Sequence, residues 1–366
     1  MNTFPEIIRH WSRSKDEPVA LATVVRTTGS TYRKPGARML IHADGSTAGM
    51  VSAGCLERDV VERATRTIRG EKAQLVAYDT KRLFGCNGRM EVFIECVPPD
   101  RRDSLLVAVD RGLTERRTLV GSTIFKANDL PAGFLGSHPL LGHDVVEAAG
   151  RLLPERMYAD ARSALEAEAA VERTYCHSGG FMAALLQTIP PPVRVYIVGS
   201  HPDVIPLAAL CLQLGWQPVV VVHPSQDLPI VPPACEVVHQ GPEAFGALLV
   251  ADARSAAVVM THNYGRDLAY LASLLRSPYR YVGLMGPATR RNQLVGDLAD
   301  QGLALDVEML ERLHGPAGLD IGADGPAEVA LSVVSEIKAV MCGRAGGLLR
   351  EARHPIHATE GIVAGV

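Results

Sequence analysis

Three consecutive prolines, Pro190-Pro191-Pro192, constrain this chain more than any other feature. Proline fixes φ and carries no backbone N–H, so a run of three is a stiff polyproline spacer that suits neither a helix nor a sheet. The chain is expected to fold as two cores, residues 1–190 and 193–345, followed by a tail, 346–366. With 366 residues, 47% of them hydrophobic, each half has the length and apolar content of a domain.

The prolines run straight into Val193-Arg-Val-Tyr-Ile-Val-Gly199, a short apolar strand. A helical stretch from Val204 to Leu214 follows, closed by Gly215. Further apolar runs lie at Pro218–Val222, Cys235–His239, Ala256–Met260 and Tyr279–Met285. Helical stretches lie at Asp267–Leu275, Ala288–Leu298 and Pro326–Cys342. Strand alternating with helix predicts an α/β fold, a Rossmann-like doubly wound parallel sheet. Ligands of such sheets sit where strand C-termini face helix N-termini. Gly199-Ser200-His201, Thr261-His262-Asn263 and Gly286-Pro287 occupy those positions. The glycine fingerprint of a dinucleotide site keeps only Gly199, and Val222-His223 stands where an acid would take the ribose hydroxyls. An NAD(P)-dependent oxidoreductase is therefore one reading, with a degraded fingerprint.

Residues 1–190 read as a small mixed α+β domain. Phe4–Arg13 has helical spacing, and strands are expected at Val19–Val25, Ala37–His42, Thr47–Ser52, Leu75–Tyr78 and Met90–Cys96. Asp44-Gly45 marks a hairpin turn. A helix should run from Cys55 to about Arg69. From Asp100 to Pro192 the pattern is less regular. Strands are expected there at Leu105–Asp110 and Thr118–Phe125, and helices at Leu141–Arg151 and Arg162–Glu172.

Two loops of this half gather small residues around a cysteine. In Gly49-Met-Val-Ser-Ala-Gly-Cys-Leu-Glu57, Ser52 and Gly54 let the backbone turn sharply, and Cys55 falls in the first helical turn. Orphan N–H groups there favour a thiolate or a bound anion, while the charge of Glu57 partly opposes this. In Phe84-Gly-Cys-Asn-Gly88, the backbone around Cys86, Asn87 and Gly88 could form an anion nest or a plain Asn-Gly hairpin. Cys55, Cys86 and Glu57 are the candidate reacting residues. Cys96, Cys211 and Cys342 lie where inert buried thiols usually do, and Cys176 and Cys235 have no supporting context.

A net charge of -3 points to neither a nucleic-acid nor a membrane partner. No secretory apolar segment and no run of ~20 apolar residues is present. Seven cysteines, an odd number without a C-x-x-C pair, fit a reducing cytoplasm rather than a disulfide framework or a zinc ribbon. His138 and His143 lack carboxylate or thiolate company, so no metal site is expected.

The motifs together resemble the xanthine dehydrogenase accessory protein family, XdhC/CoxI. They run from Thr27-Thr-Gly-Ser-Thr-Tyr-Arg-Lys-Pro-Gly-Ala-Arg38 through Gly54-Cys-Leu-Glu57 and Gly85-Cys-Asn-Gly88. They resume at Val259-Met-Thr-His-Asn263, Tyr281-Val-Gly-Leu-Met-Gly-Pro287, Asp320-Ile-Gly-Ala323 and Pro355-Ile-His357. The family pattern has a glycine at Ala53, and a glycine-rich loop and an acid where His201 and Val222-His223 stand. The resemblance implies a cytoplasmic chaperone that binds molybdenum cofactor (molybdopterin) and hands it to a molybdenum hydroxylase client. A sulfurtransferase partner and a homodimer are also implied. The helix starts after Gly199, Ser200 and His201, and after Gly286-Pro287, would hold the cofactor phosphate, helped by Arg290 or Arg291. His262 and Asn263 would bond a ring or hydroxyl group. The ligand is expected in a cleft between the halves or across a dimer interface.

Overall fold

The computed structural model describes residues 4–54, 56–79, 88–99, 105–130, 133–141, 146–147, 153–227, 230–243, 245 and 251–352. The chain divides into two compact units on either side of the Pro191–Pro192 bond.

The first unit opens with the helix Phe4–Trp11, whose apolar spacing buries Phe4, Ile7, Ile8 and Trp11. Five strands follow: β1 (Val19–Gly29), β2 (Arg38–Ile41), β3 (Thr47–Gly49), β4 (Gln74–Asp79) and β5 (Gly88–Val97). They pair antiparallel in the order β3-β2-β1-β5-β4. The helix Glu57–Ile68 covers one face, packing Val60 and Ala64 on Ala22, Val24 and Ile94. β1 runs through Thr28 to Gly29, past the predicted break, because β5 pairs with it to its end.

The segment read as irregular builds a second sheet of the same design. Its strands are β6 (Leu119–Asn128), β7 (Leu140–Leu141), β8 (Val146–Glu147), β9 (Ala170–His177) and β10 (Gly180–Ile189). Their order, β8-β7-β6-β10-β9, repeats the first sheet strand for strand, and the helix Glu155–Glu166 matches Glu57–Ile68. The register also repeats. Thr23 faces Phe93 and Thr123 faces Leu185, with a bulge beyond each pair, between Val24 and Arg26 and between Ala183 and Ala184. Each copy has a tyrosine that donates to a helix aspartate, Tyr78 to Asp59 at 2.6 Å and Tyr175 to Asp160 at 2.9 Å. Val25, Phe93, Phe125, Ala183 and Leu185 form one buried cluster between the copies.

Three expected elements differ. Leu105–Thr114 is a helix that buries Leu105, Leu106 and Val109 on one face; a short apolar run alone does not separate helix from strand. Val146–Glu147 lies in a strand rather than a helix. The helix placed at Arg162–Glu172 runs Glu155–Glu166, and Ala170 already belongs to β9.

The second unit is a six-stranded parallel sheet of β11 (Arg194–Val198), β12 (Gln217–Val222), β13 (Glu236–His239), β14 (Ser255–Val259), β15 (Tyr281–Leu284) and β16 (Leu313–His314). The order is β13-β12-β11-β14-β15-β16. The helices Val204–Gln213 and Pro326–Met341 bury their apolar faces in one core, Tyr264–Leu275 and Ala288–Asp300 in another. Coverage of both faces explains the unbroken apolar strands. Strand order reverses between β11 and β14, the place where such sheets take ligands.

Candidate functional site

In the first unit the turn before Glu57–Ile68 is wrapped around one carboxylate. Glu57 Oε1 accepts the Ser52 N–H at 2.7 Å, and Oε2 accepts the Ser52 hydroxyl at 2.5 Å. Oε2 also accepts the N–H groups of Gly54 at 2.9 Å and Leu56 at 3.2 Å. Burial opposes the charge, but the bonds from Ser52 and the loop N–H groups outweigh it and hold Glu57 below the usual carboxylate range. The anion that satisfies this helix start is thus the chain's own side chain. Gly54 has φ +104°, and a Cβ built on it meets nothing within 4 Å, so the loop is open on that side. Cys55, Cys86 and Asn87 lie outside the described residues. Gly88 begins β5, and its bare Cα rests against the Ser30 and Thr28 carbonyls.

The second copy separates what this turn needs for folding from what it adds. Met157, Ala161 and Ala164 of the later helix match Val60, Ala64 and Thr67 in burial and spacing. By that alignment Pro154 stands for Glu57, Leu152 for Cys55 and Ala149 for Ser52 in the sequence. The sheet-and-helix design therefore forms without the serine, cysteine and glutamate of the first copy.

In the second unit the predicted residues gather along the C-terminal edge of the sheet. Gly199 is required by packing, since a Cβ there would fall 2.6 Å from the Met260 carbonyl oxygen. Ser200 is half-buried and His201 exposed in the turn that follows. The His201 ring stands edge-on to His262 at 4.9 Å. His262 has φ +56°, and its Nε2 lies 2.6 Å from Asp203 Oδ2. Asn263 caps the helix Tyr264–Leu275 by accepting the Arg266 N–H at 3.0 Å. Gly286, at φ +114°, starts the turn into Ala288–Asp300. Arg290 of that helix donates to Asp267 Oδ2 at 2.7 Å and lies over the Tyr264 ring. Asp267 is 2% exposed and also accepts the Thr261 hydroxyl at 2.6 Å. The Arg290 guanidinium thus neutralises a buried carboxylate rather than standing open to a phosphate. Arg291 bonds Asn292 Oδ1 at 3.4 Å.

Sequence reasoning missed Asp203 and Asp267. Asp203 precedes one helix and Asp267 lies in the first turn of another, which is a legible signal, but nothing local shows that one pairs with a histidine and the other is buried under an arginine. Among the described residues no group of three or more His, Cys, Asp and Glu side chains is placed to hold a metal ion. None of the described helices is long and apolar enough to cross a membrane.

The fold and the first-copy turn define a two-unit protein: a duplicated antiparallel unit with a small-residue cysteine loop, joined to a Rossmann-type parallel sheet. The chain belongs to the XdhC and CoxI family, whose model matches residues 12–79, while the XdhC Rossmann domain matches residues 195–337. It is 27% identical over 336 residues to a Bacillus subtilis (strain 168) protein described as a probable subunit of xanthine dehydrogenase, covering 88% of this chain and 92% of that protein. It is 25% identical over 362 residues to YqeB, an uncharacterized Escherichia coli (strain K12) protein, of which it spans 49%. A solved Bacillus halodurans structure, described as a xanthine dehydrogenase, shares the fold with a TM-score of 0.72 and 23% identity, over 96% of this chain and 98% of that one.

Proposed function

We propose that this protein is an accessory factor that binds molybdenum cofactor and supports its sulfuration and insertion into a molybdenum hydroxylase. The Bacillus subtilis relative, by its description, supports a client of the xanthine dehydrogenase type, and a sulfurtransferase is the natural sulfur donor. The observation that carries the reading is the Glu57 clamp on Ser52, Gly54 and Leu56. It fixes the backbone on both sides of Cys55, and the second copy has Pro154 in place of the glutamate.

The residues present fit such a group. The loop is open beside Gly54, and a thiol is a suitable ligand for a soft metal. When bound, the group supplies a molybdenum centre that accepts sulfur. The chain's own part is to fix the backbone at Ser52, Gly54 and Leu56 and to keep those N–H groups satisfied.

The test is retention of molybdenum by the purified full chain after mixing with cofactor released from a molybdenum enzyme. Cys55→Ala and Cys86→Ala should lose retention at unchanged melting temperature, and Cys211→Ala should lose stability but keep retention. Wild-type retention by Cys55→Ala would reduce Cys55 to a small residue at a tight turn.

A further inference from the structure

At the switch point of the parallel sheet lies a cavity of about 180 Å³, lined by Asp203, Leu207, Met260, Met285, Val333 and Asp324 among others. It lies below the ~300–1,000 Å³ of sites for drug-sized ligands, a size that matches a single ring system. Its walls are mostly apolar, and two of them are thioethers, which adapt to the faces of flat rings.

The polar end is unusual for a sheet of this type. Asp203 precedes the helix Val204–Gln213, where a dinucleotide-binding protein places its diphosphate. It makes no side-chain cap to its own helix. Its Oδ2 is held by His262, and its Oδ1 is buried with no hydrogen-bond partner among the described residues. A buried acceptor left without a donor is costly, and such groups usually have one. The second carboxylate, Asp324, lines the same cavity, and no described lining residue is basic. A phosphate in the cavity would meet two carboxylates and no lysine or arginine among its lining residues.

We propose that this cavity binds a flat heterocycle through an edge of adjacent N–H donors, an aminopyrimidinone edge of the kind pterins and guanines share, with Asp203 as the acceptor. The terminal torsion of an aspartate is soft, so a small turn presents Oδ1 to the cavity while His262 keeps Oδ2. His262 is suited to that anchoring, because its left-handed backbone directs the ring to Asp203 across the switch point. Apolar walls on the ring faces and one carboxylate on the ring edge match the way small-ligand sites divide affinity from orientation. The cavity stands on its own geometry. Its link to molybdenum cofactor rests on the function proposed above, and the two fail separately.

The experiment is calorimetric titration of the full chain with 6-hydroxymethylpterin, guanosine and NAD⁺, with melting temperature recorded for every variant. One or both rings should bind and NAD⁺ should not. Asp203→Asn, which keeps the shape and turns an acceptor into a donor, should weaken ring binding at least tenfold. Met285→Trp, which fills the cavity, should abolish it. Cys55→Ala should leave it unchanged. The tighter of the two rings names the source of the edge. Absence of binding by both rings, equal binding by a folded Asp203→Asn, or NAD⁺ binding lost in Met285→Trp would each overturn the assignment. Molybdenum retention in the Cys55 series would still judge the function on its own.

Discussion

Arg38 and His138 stand at equivalent places in the two copies of the first unit, and each reaches across to the other copy. The Arg38 guanidinium donates to Gln187 of β10 and to the Thr123 hydroxyl of β6. The His138 ring, in turn, lies 2.7 Å through Nε2 from Glu95 of β5. Glu95 and Gln187 are themselves equivalent, facing Leu21 and Gly121 on the paired strands. The two sheets are thus joined by a reciprocal pair of buried polar contacts around a local two-fold relation.

Breaking one half of that exchange should be severe. Burial lowers the Arg38 pKa to about 10, against the charge of Glu95, so the group stays charged at neutral pH. Arg38→Met leaves Gln187 and the Gly36 carbonyl without their donor. A loss on the order of 3–5 kcal/mol is expected. Arg38→Met/Gln187→Leu should cost less than the two single changes summed, measured by urea unfolding.

Two left-handed glycines of the first unit should differ in how strictly they are required. Gly36 has φ +93°, and a Cβ there would fall 2.6 Å from the Gln187 amide. Gly36→Ala therefore combines left-handed strain with a clash, an expected loss of roughly 2–4 kcal/mol. Gly54→Ala carries the strain without the clash and should cost about 1–2 kcal/mol. Thermal unfolding of both variants, run in parallel, checks the ordering.

Releasing the Glu57 clamp should act locally. Glu57→Ala removes acceptors for three backbone N–H groups and one hydroxyl. The amides of Ser52, Gly54 and Leu56 should exchange with deuterium at least tenfold faster. Protection in β1 and β5 should not change, since the second copy carries proline, Pro154, where the first has Glu57 and still forms its sheet and helix.

Acid should reverse the clamp in the same place. The Glu57 carboxyl is held below its usual range, so the unfolded chain takes up a proton first as pH falls. The clamp's stabilisation is complete above the ordinary carboxyl value of ~4.3 and fades as pH drops through the lower folded value. The stability difference between wild type and Glu57→Gln should therefore be constant from about pH 7 to 5 and shrink below about pH 4. Urea midpoints across that range provide the measurement.

Thiol chemistry should follow burial among the described cysteines. Burial pushes the Cys211 thiol up, with a smaller contribution from Cys235, and the side chain is fully enclosed. Cys176 and Cys342 are exposed. Iodoacetamide at neutral pH should label Cys176 and Cys342 in the native chain and Cys211 only after unfolding, read by peptide mass spectrometry.

The sequence by itself determined the parallel sheet, because strands buried on both faces must be apolar runs and the helices between them carry a 3.6-residue period. It also determined the strand-to-helix turn at Ser52–Glu57, where small residues and a helix-start acid are local signals. It did not disclose the second copy of the first sheet. What the copies share is register, burial and bond geometry, carried by scattered matches such as Thr23 with Thr123 and Tyr78 with Tyr175. Only the tertiary structure decided that Arg38 and Asp267 are buried, since charged side chains read as surface until their partners are known. It alone joined Asp203 to His262 across 59 residues of sequence. Periodicity is a local property of the chain, whereas the pairing of a buried charge depends on which distant strand ends the fold brings together.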